Sequence, residues 1–417
     1  MYIPDSQVFN FYIFFTFYLV DNKLFINLNS QLLFRIIKNK YKNYIHTPNI
    51  FLMNSLEILD NDSITAVKLL PRVIEITSQE RRMIQDAAVH LQRKYGSYEN
   101  REFITHVHQL ASYFLPERIL HIAADFASDF SKDQYGAIAF RGLMDIDQES
   151  IGTTPPNWQS ADYSKFNIYG FACALLHGAL PSKPVQYYSQ RKGGGLMHAI
   201  IPDEKMRETQ TGSGSSTDLY VHTEDAFLKH QADFLSFMYI RNEEQVPSTL
   251  YSIRSHESIG ERFRPLFERM YKIPKDANLE TGTDEEEVLD AILYGNYELP
   301  FMRFDAAEQL FNPSIRQSDD AHHHLTEFWE EARDLVYSGF TPQAGDVILV
   351  NNHLCAHGRS AFRAGVRNID GIEYQCQRRI MLRMMSKVSL MEMRAHTLTE
   401  DPFFVIEEHL GKNFENI

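Results

Sequence analysis

Leu219-Tyr220-Val221-His222-Thr223-Glu224-Asp225-Ala226-Phe227 is the stretch on which the reading of this chain turns. Leu219, Val221 and Thr223 alternate with Tyr220, His222 and Glu224, which is the period of a β-strand. Residues two apart on a strand point to one face, so an imidazole and a carboxylate project together. The glycine- and serine-rich run from Thr211 to Thr217 before them reads as a loop. Two ligands on a strand begin a metal site and leave it incomplete.

A third ligand lies far downstream. Gly345-Asp346 reads as a turn and Val347-Ile348-Leu349-Val350 as an apolar strand. Asn351-Asn352-His353-Leu354-Cys355-Ala356-His357 follows, with His357 expected where the strand runs out into a loop. Two histidines and one carboxylate on one side of an iron leave its other positions open, the facial triad of non-haem Fe(II) oxygenases. Taken alone, the same letters fit an exposed strand pair and a hydrogen-bonded loop histidine.

The surroundings discriminate. His222 to Phe227, with Ala232-Asp233-Phe234-Leu235 after it, resembles the iron-binding segment of the clavaminate synthase-like oxygenases. So does His357-Gly358-Arg359-Ser360-Ala361-Phe362 with Asp370-Gly371 beyond, and so does the run from Gln190 through Gly193-Gly194-Gly195 to His198. The resemblance spans roughly residues 130 to 390, and its motifs are specific in combination. It implies that His222, Glu224 and His357 hold Fe(II). It further implies that 2-oxoglutarate and O2 are consumed to give succinate and carbon dioxide while a free amino acid is hydroxylated. Among the substrates of this family, a basic amino acid is expected: L-lysine first, with C4 favoured over C3, and arginine or asparagine as rivals. A zinc hydrolase also needs an open three-ligand site, and a non-catalytic metal-binding cupin would share the ligands.

The resemblance also implies the binding residues. A bidentate guanidinium suits the far carboxylate of 2-oxoglutarate better than a lysine does. The family's two arginines stand four apart; counted with a gap after Asp370-Gly371 they fall on Arg379 and Arg383, and without one the second falls on Arg378. Arg379 is favoured for the cosubstrate, Arg383 as its neighbour and Arg378 as the competitor. Thr249 takes the family's position for a hydroxyl donor to the cosubstrate. Gln190 matches a residue that contacts the amino-acid backbone, and Asp305 an acidic lid residue that meets a basic side chain. Glu224 is expected to face the substrate ammonium as well, with Asp319 and Asp320 as weaker candidates.

Composition sets bounds. The 417 residues carry 41 Lys and Arg against 55 Asp and Glu, a net −14. That charge argues against nucleic acid or an anionic membrane as partner and leaves a small cationic substrate attractive. Cys173, Cys355 and Cys376 form neither a disulfide framework nor a zinc pattern, which suits a cytoplasmic location. Homo-oligomerisation is compatible with all of this. Residues 1–52 differ in composition, and the apolar run Val8 to Val20 is too short to span a bilayer. They read as a non-native or disordered extension before a dioxygenase domain at 53–417.

Between these landmarks, Thr77-Ser78-Gln79-Glu80 forms a capping box before a helix with Met83, Ile84, Ala87, Ala88 and Leu91 on its apolar face. A helix is expected from Glu102 to Leu115, another from Asn167 to Leu180, and a third from a second box at Thr283 to Gly295. His322-His323-His324 precede an amphipathic helix and read as solvated. Strands are expected at Tyr135 to Leu143, Leu196 to Ile201, Phe234 to Ile240 and Thr249 to Arg254. The expected class is therefore mainly β with flanking helices, a double-stranded β-helix: a distorted, cupin-like jelly roll.

Overall fold

The computed structural model describes residues 17–20, 23–26, 71–129, 134–187, 195–228, 230–256, 258–273, 289–312, 314–389 and 403–405. Gln190, the capping box at Thr283 and most of the 1–52 segment lie outside the described residues. The chain divides into two compact units, Met1–Val67 and Lys68–Ile417. In the first, Phe17–Val20 pairs antiparallel with Lys23–Ile26. The rest of this description concerns the second.

Its helices follow local chemistry. The Glu80 amide donates to Thr77 Oγ1 at 3.2 Å and the Thr77 amide to Glu80 Oε2 at 2.9 Å, so the predicted box opens the helix Ser78–Tyr95. Ile84, Ala87, Ala88 and Leu91 are buried, whereas Met83 is 44% exposed and belongs to the outer face. The helix expected at 102–115 breaks at His106 into Arg101–Thr105 and Val107–Phe114. Glu117–Ser128 follows Pro116. Asn167–Ala179 is buried all round from Tyr169 to Ala179, as a helix enclosed by other helices and a sheet must be. One expectation fails downstream: Leu289–Asp290 and Leu293–Gly295 are short strands, so Gly295 closes no helix.

The strands form two principal sheets. The larger has eight strands in the order Phe404–Val405, Lys183–Tyr187, Ile380–Lys387, Phe234–Arg241, Val347–Asn351, Ala137–Arg141 and Arg72–Glu75, with Met197–Ile200 also paired to Ile380–Lys387. The smaller has Tyr337–Phe340, Ser248–Ser252, Cys355–Arg359 and Leu219–His222. Side chains alternate across the large sheet. Met238, Ile240, Leu349, Leu382 and Met384 pack on the helical layer, while Leu235, Phe237, Tyr239, Ile348 and Met381 face Leu250, Phe340 and Cys355 of the small sheet. Beyond the small sheet, Val221, Tyr251 and Ala356 pack on Leu325 and Phe328 of the helix Asp319–Ala332.

The expected jelly roll is thus corrected. Among the described residues neither sheet closes on itself and no ladder joins them. The large sheet ends on two parallel pairings, Arg72–Glu75 with Ala137–Arg141 and Phe404–Val405 with Lys183–Tyr187. The architecture is mixed α/β, with helices forming whole layers of the core. Period-two alternation identifies strands but cannot say whether a sheet's edges meet, and there the expectation went astray. Among the described residues, no helix is long and apolar enough to cross a membrane.

Candidate metal centre

The first pair of predicted ligands sits where a strand ends. His222 is the last residue of Leu219–His222, and Glu224 lies in the following turn rather than on the strand. Asp225 then takes φ +51, a left-handed conformation that turns the chain away. His357 lies in the middle of the strand Cys355–Arg359, not in the expected loop, directly opposite His222 in the antiparallel ladder. Gly358 allows this approach, since a Cβ there would meet the Leu219 carbonyl oxygen at 2.3 Å.

His222, Glu224 and His357 each offer a ligand atom, and these atoms all lie within 4.8 Å of one another. His222 Nδ1 lies 2.9 Å from the Tyr220 carbonyl oxygen, so Nδ1–H donates there and Nε2 keeps its lone pair for a ligand. His357 Nε2 stands 3.4 Å from Glu224 Oε2, and its buried Nδ1 has no hydrogen-bond partner. Burial, with His222 beside it, pulls the His357 pKa down to about 4, so the ring is neutral and able to ligate. Burial alone would raise the Glu224 pKa, but the Arg383 guanidinium paired to it, with both histidines, holds it well below the ordinary range. Two neutral imidazoles and a buried carboxylate fit a divalent iron and leave open positions.

This cluster opens on a cavity of ≈ 540 Å³ between the two sheets, within the ~300–1,000 Å³ of small-molecule sites. Arg379 and Arg383 share one face of Ile380–Lys387 and its lead-in, about 13 Å apart at ~3.3 Å per residue. Arg379 and Arg359 both lie against the Phe362 ring, at 5.2 and 5.4 Å. Burial lowers the pKa of both, that of Arg359 to about 9 with Arg379 adding repulsion. Beside His222 the cavity is acidic. Asp305 pairs with His222 through a β-bridge, and Glu308 follows one helical turn on. Burial raises both carboxyl pKa values, that of Asp305 against the pull of His222.

No family model matches the chain. It is 59% identical over 345 residues to the L-lysine 4-hydroxylase of Flavobacterium johnsoniae, covering 83% of this chain and 93% of that one. Against the L-lysine 4-hydroxylase of Niastella koreensis it is 55% identical over 366 residues, 88% of this chain and 99% of the other. The chain belongs to the clavaminate synthase-like Fe(II)/2-oxoglutarate-dependent oxygenases. Non-heme iron oxygenase OrfP, solved in complex with Fe and alpha-ketoglutaric acid, matches with a TM-score of 0.68 at 25% identity, over 81% of this chain and 100% of that one. This oxygenase uses Fe(II) and 2-oxoglutarate, and its reaction is the hydroxylation of a free basic amino acid.

The other expected site residues of this oxygenase divide. Arg379, Arg383 and Asp305 line the cavity. Arg378 does not: its guanidinium donates to the carbonyls of Pro155, Pro156 and Pro202 at 2.6–3.0 Å. Thr249 lies opposite Gly358 and is not among the lining residues, whereas Ser248 and Leu250 are. Hydroxyls that face the cavity include those of Thr211, Ser213, Ser248 and Tyr239, the last two bonded to each other at 2.5 Å. No alternation could have separated Ser248 from Thr249, because all of Ser248–Ser252 is buried. Asp319 and Asp320 are exposed in the first turn of the helix Asp319–Ala332, on whose outer side His323 and His324 lie near Glu327. Glu308 and Arg359 also line the cavity, and the sequence reading does not single out either. Glu308 has no motif around it, and Arg359 was visible only as part of His357-Gly358-Arg359.

Proposed function

We propose that this oxygenase hydroxylates L-lysine at C4, with His222, Glu224 and His357 holding the Fe(II). The observation that carries the reading is the buried carboxylate of Asp305 beside His222, in the same cavity as the three ligands. Burial raises the Asp305 pKa despite His222 beside it, and a lysine ammonium in the cavity would offset that desolvation. The activity of the relatives at 59% and 55% identity, L-lysine 4-hydroxylation, supports both lysine and C4.

Bound iron with 2-oxoglutarate supplies the oxidant for an unactivated C–H bond, and the chain's own residues do the rest. Arg379 takes the far carboxylate of the cosubstrate, supported by Tyr239, Ser248 and the positive field of Arg359. Arg383 is its neighbour on the same strand face and keeps Glu224 ionised. Asp305, with Glu308 beside it, fixes the side-chain ammonium, and Gln190 contacts the amino-acid backbone. The apolar walls formed by Phe237, Leu250 and Ile348 exclude water from the reacting carbon.

We assign catalysis to residues 53–417, since every residue given a role lies in that span. Three free cysteines support a cytoplasmic location, and the charge of −14 supports a partner list without nucleic acid or membrane. The test is a screen of the twenty amino acids for succinate formation dependent on Fe(II) and 2-oxoglutarate, with the lysine product located by NMR. Turnover of asparagine or arginine but not lysine, or hydroxylation at C3, would overturn the assignment.

A further inference from the structure

Asn352 follows the strand Val347–Asn351, in the turn that leads to the strand of His357. Its side chain is 0% exposed and every polar group on it is used. Oδ1 accepts the Glu224 amide at 2.7 Å, and Nδ2 donates to the Glu224 carbonyl at 3.0 Å and the Ala232 carbonyl at 3.0 Å. The Asn352 amide donates to the Asp233 carbonyl at 2.9 Å. One primary amide therefore grips both peptide groups of the residue that carries the carboxylate ligand. It also ties them to the connection that delivers the distal histidine.

Glu224 needs such a grip. It lies past the end of its strand, before a residue at φ +51, and no ladder hydrogen bond fixes its backbone. On the other side, Thr223 is held by Phe304, its amide donating to the Phe304 carbonyl at 2.8 Å. From between these two anchors the Glu224 carboxylate reaches His222, His357 and Arg383.

We propose that Asn352 is the positioning residue for the carboxylate ligand, setting iron affinity through the backbone of Glu224 without touching the metal. The proposal rests on the reading of Glu224 as an iron ligand. Replacement by aspartate is nearly isosteric and inverts the chemistry: an oxygen then faces the carbonyls of Glu224 and Ala232, and both donated bonds are lost. Partners behind a metal ligand typically govern metal affinity about 10–100-fold.

A matched control exists in the same chain. Asn242 is also buried, donating through Nδ2 to the Val246 and Pro342 carbonyls at 3.0 and 2.8 Å and accepting the Val246 amide at 3.1 Å. It makes the same three bonds and holds no residue of the metal cluster. The experiment is anaerobic calorimetric titration of the metal-free chain with Fe(II) alone, for wild type, Asn352→Asp, Asn242→Asp and His222→Ala, alongside thermal melts. Both asparagine variants should melt lower, and only Asn352→Asp should bind Fe(II) about 10–100-fold more weakly. Wild-type affinity in Asn352→Asp, or an equal loss in Asn242→Asp, would overturn the proposal. Should Asn352→Asp not fold, Asn352→Ser, which keeps a hydroxyl acceptor and introduces no charge, is read against the same two outcomes. His222→Ala separates the levels: if it binds iron like wild type, the ligand set itself is wrong. If it loses iron while the Asn352 variants do not, only the positioning role falls.

Discussion

Replacing Arg379 by alanine should raise the 2-oxoglutarate requirement far more than replacing its neighbour Arg378. Arg379 is 3% exposed and its Nε lacks a partner. Glu244 accepts its backbone amide at 3.0 Å rather than its side chain. Glu244 favours its charge from outside the cavity, while Arg359 shares the cavity with it as a second cation. Burial still lowers the Arg379 pKa, and a cosubstrate carboxylate accepting from the unpartnered Nε side would offset that cost. A lost charged hydrogen bond is worth about 1.5–3 kcal/mol, roughly ten- to a hundred-fold in KM. Arg379→Lys should fall between, because the charge survives while the fork does not. Arg378→Ala removes three bonds to carbonyls, each worth about 0.5–1.5 kcal/mol, and should appear as lost stability with KM little changed. The assay is succinate formation against 2-oxoglutarate at saturating lysine, with denaturant unfolding of each variant. A larger KM effect in Arg378→Ala would refute the reasoning.

His222→Ala and His357→Ala should each abolish turnover while retaining native circular dichroism, because these side chains face a cavity rather than the core; full activity in either would remove the triad. Asp305→Asn should weaken lysine far more than 2-oxoglutarate and reduce discrimination against norleucine, which brings no charge; an unchanged lysine-to-norleucine ratio of kcat/KM would move the role to Glu308. Glu80 has its pKa lowered from 4.5 to about 2 by its hydrogen bond to Arg118, against the effect of burial. Its folded pKa lies below its unfolded one, so the contribution is full above pH 4.5 and fades as pH falls toward 2. The shift corresponds to about 3 kcal/mol, discounted to about 1–2 because Arg118 is half exposed. The stability gap between wild type and Glu80→Gln should therefore shrink on acidification; unfolding curves that show it widening would contradict this.

Much of the chemistry could be read from the letters, because it depends on residue type and short-range order. His222-Thr223-Glu224 and His357-Gly358-Arg359 name the donors, and a metal site is first a matter of which donors are present. The capping box at Thr77 and the helix at Asn167 are equally local, since their hydrogen bonds close within a few residues. What depends on separate segments meeting was decided by the tertiary structure. Arg378 and Arg379 are adjacent in sequence, yet on the extended lead-in to the strand Ile380–Lys387 they point to opposite faces, which sends one guanidinium to backbone carbonyls and the other into the cavity. Ser248 and Thr249 divide in the same way on a strand buried on both faces, where no polarity pattern survives. The open edges of the large sheet, the helical layer against it and the hold of Asn352 on Glu224 across 128 residues are non-local contacts. A periodic pattern fixes which way a side chain points relative to its own strand, and only packing fixes what stands opposite.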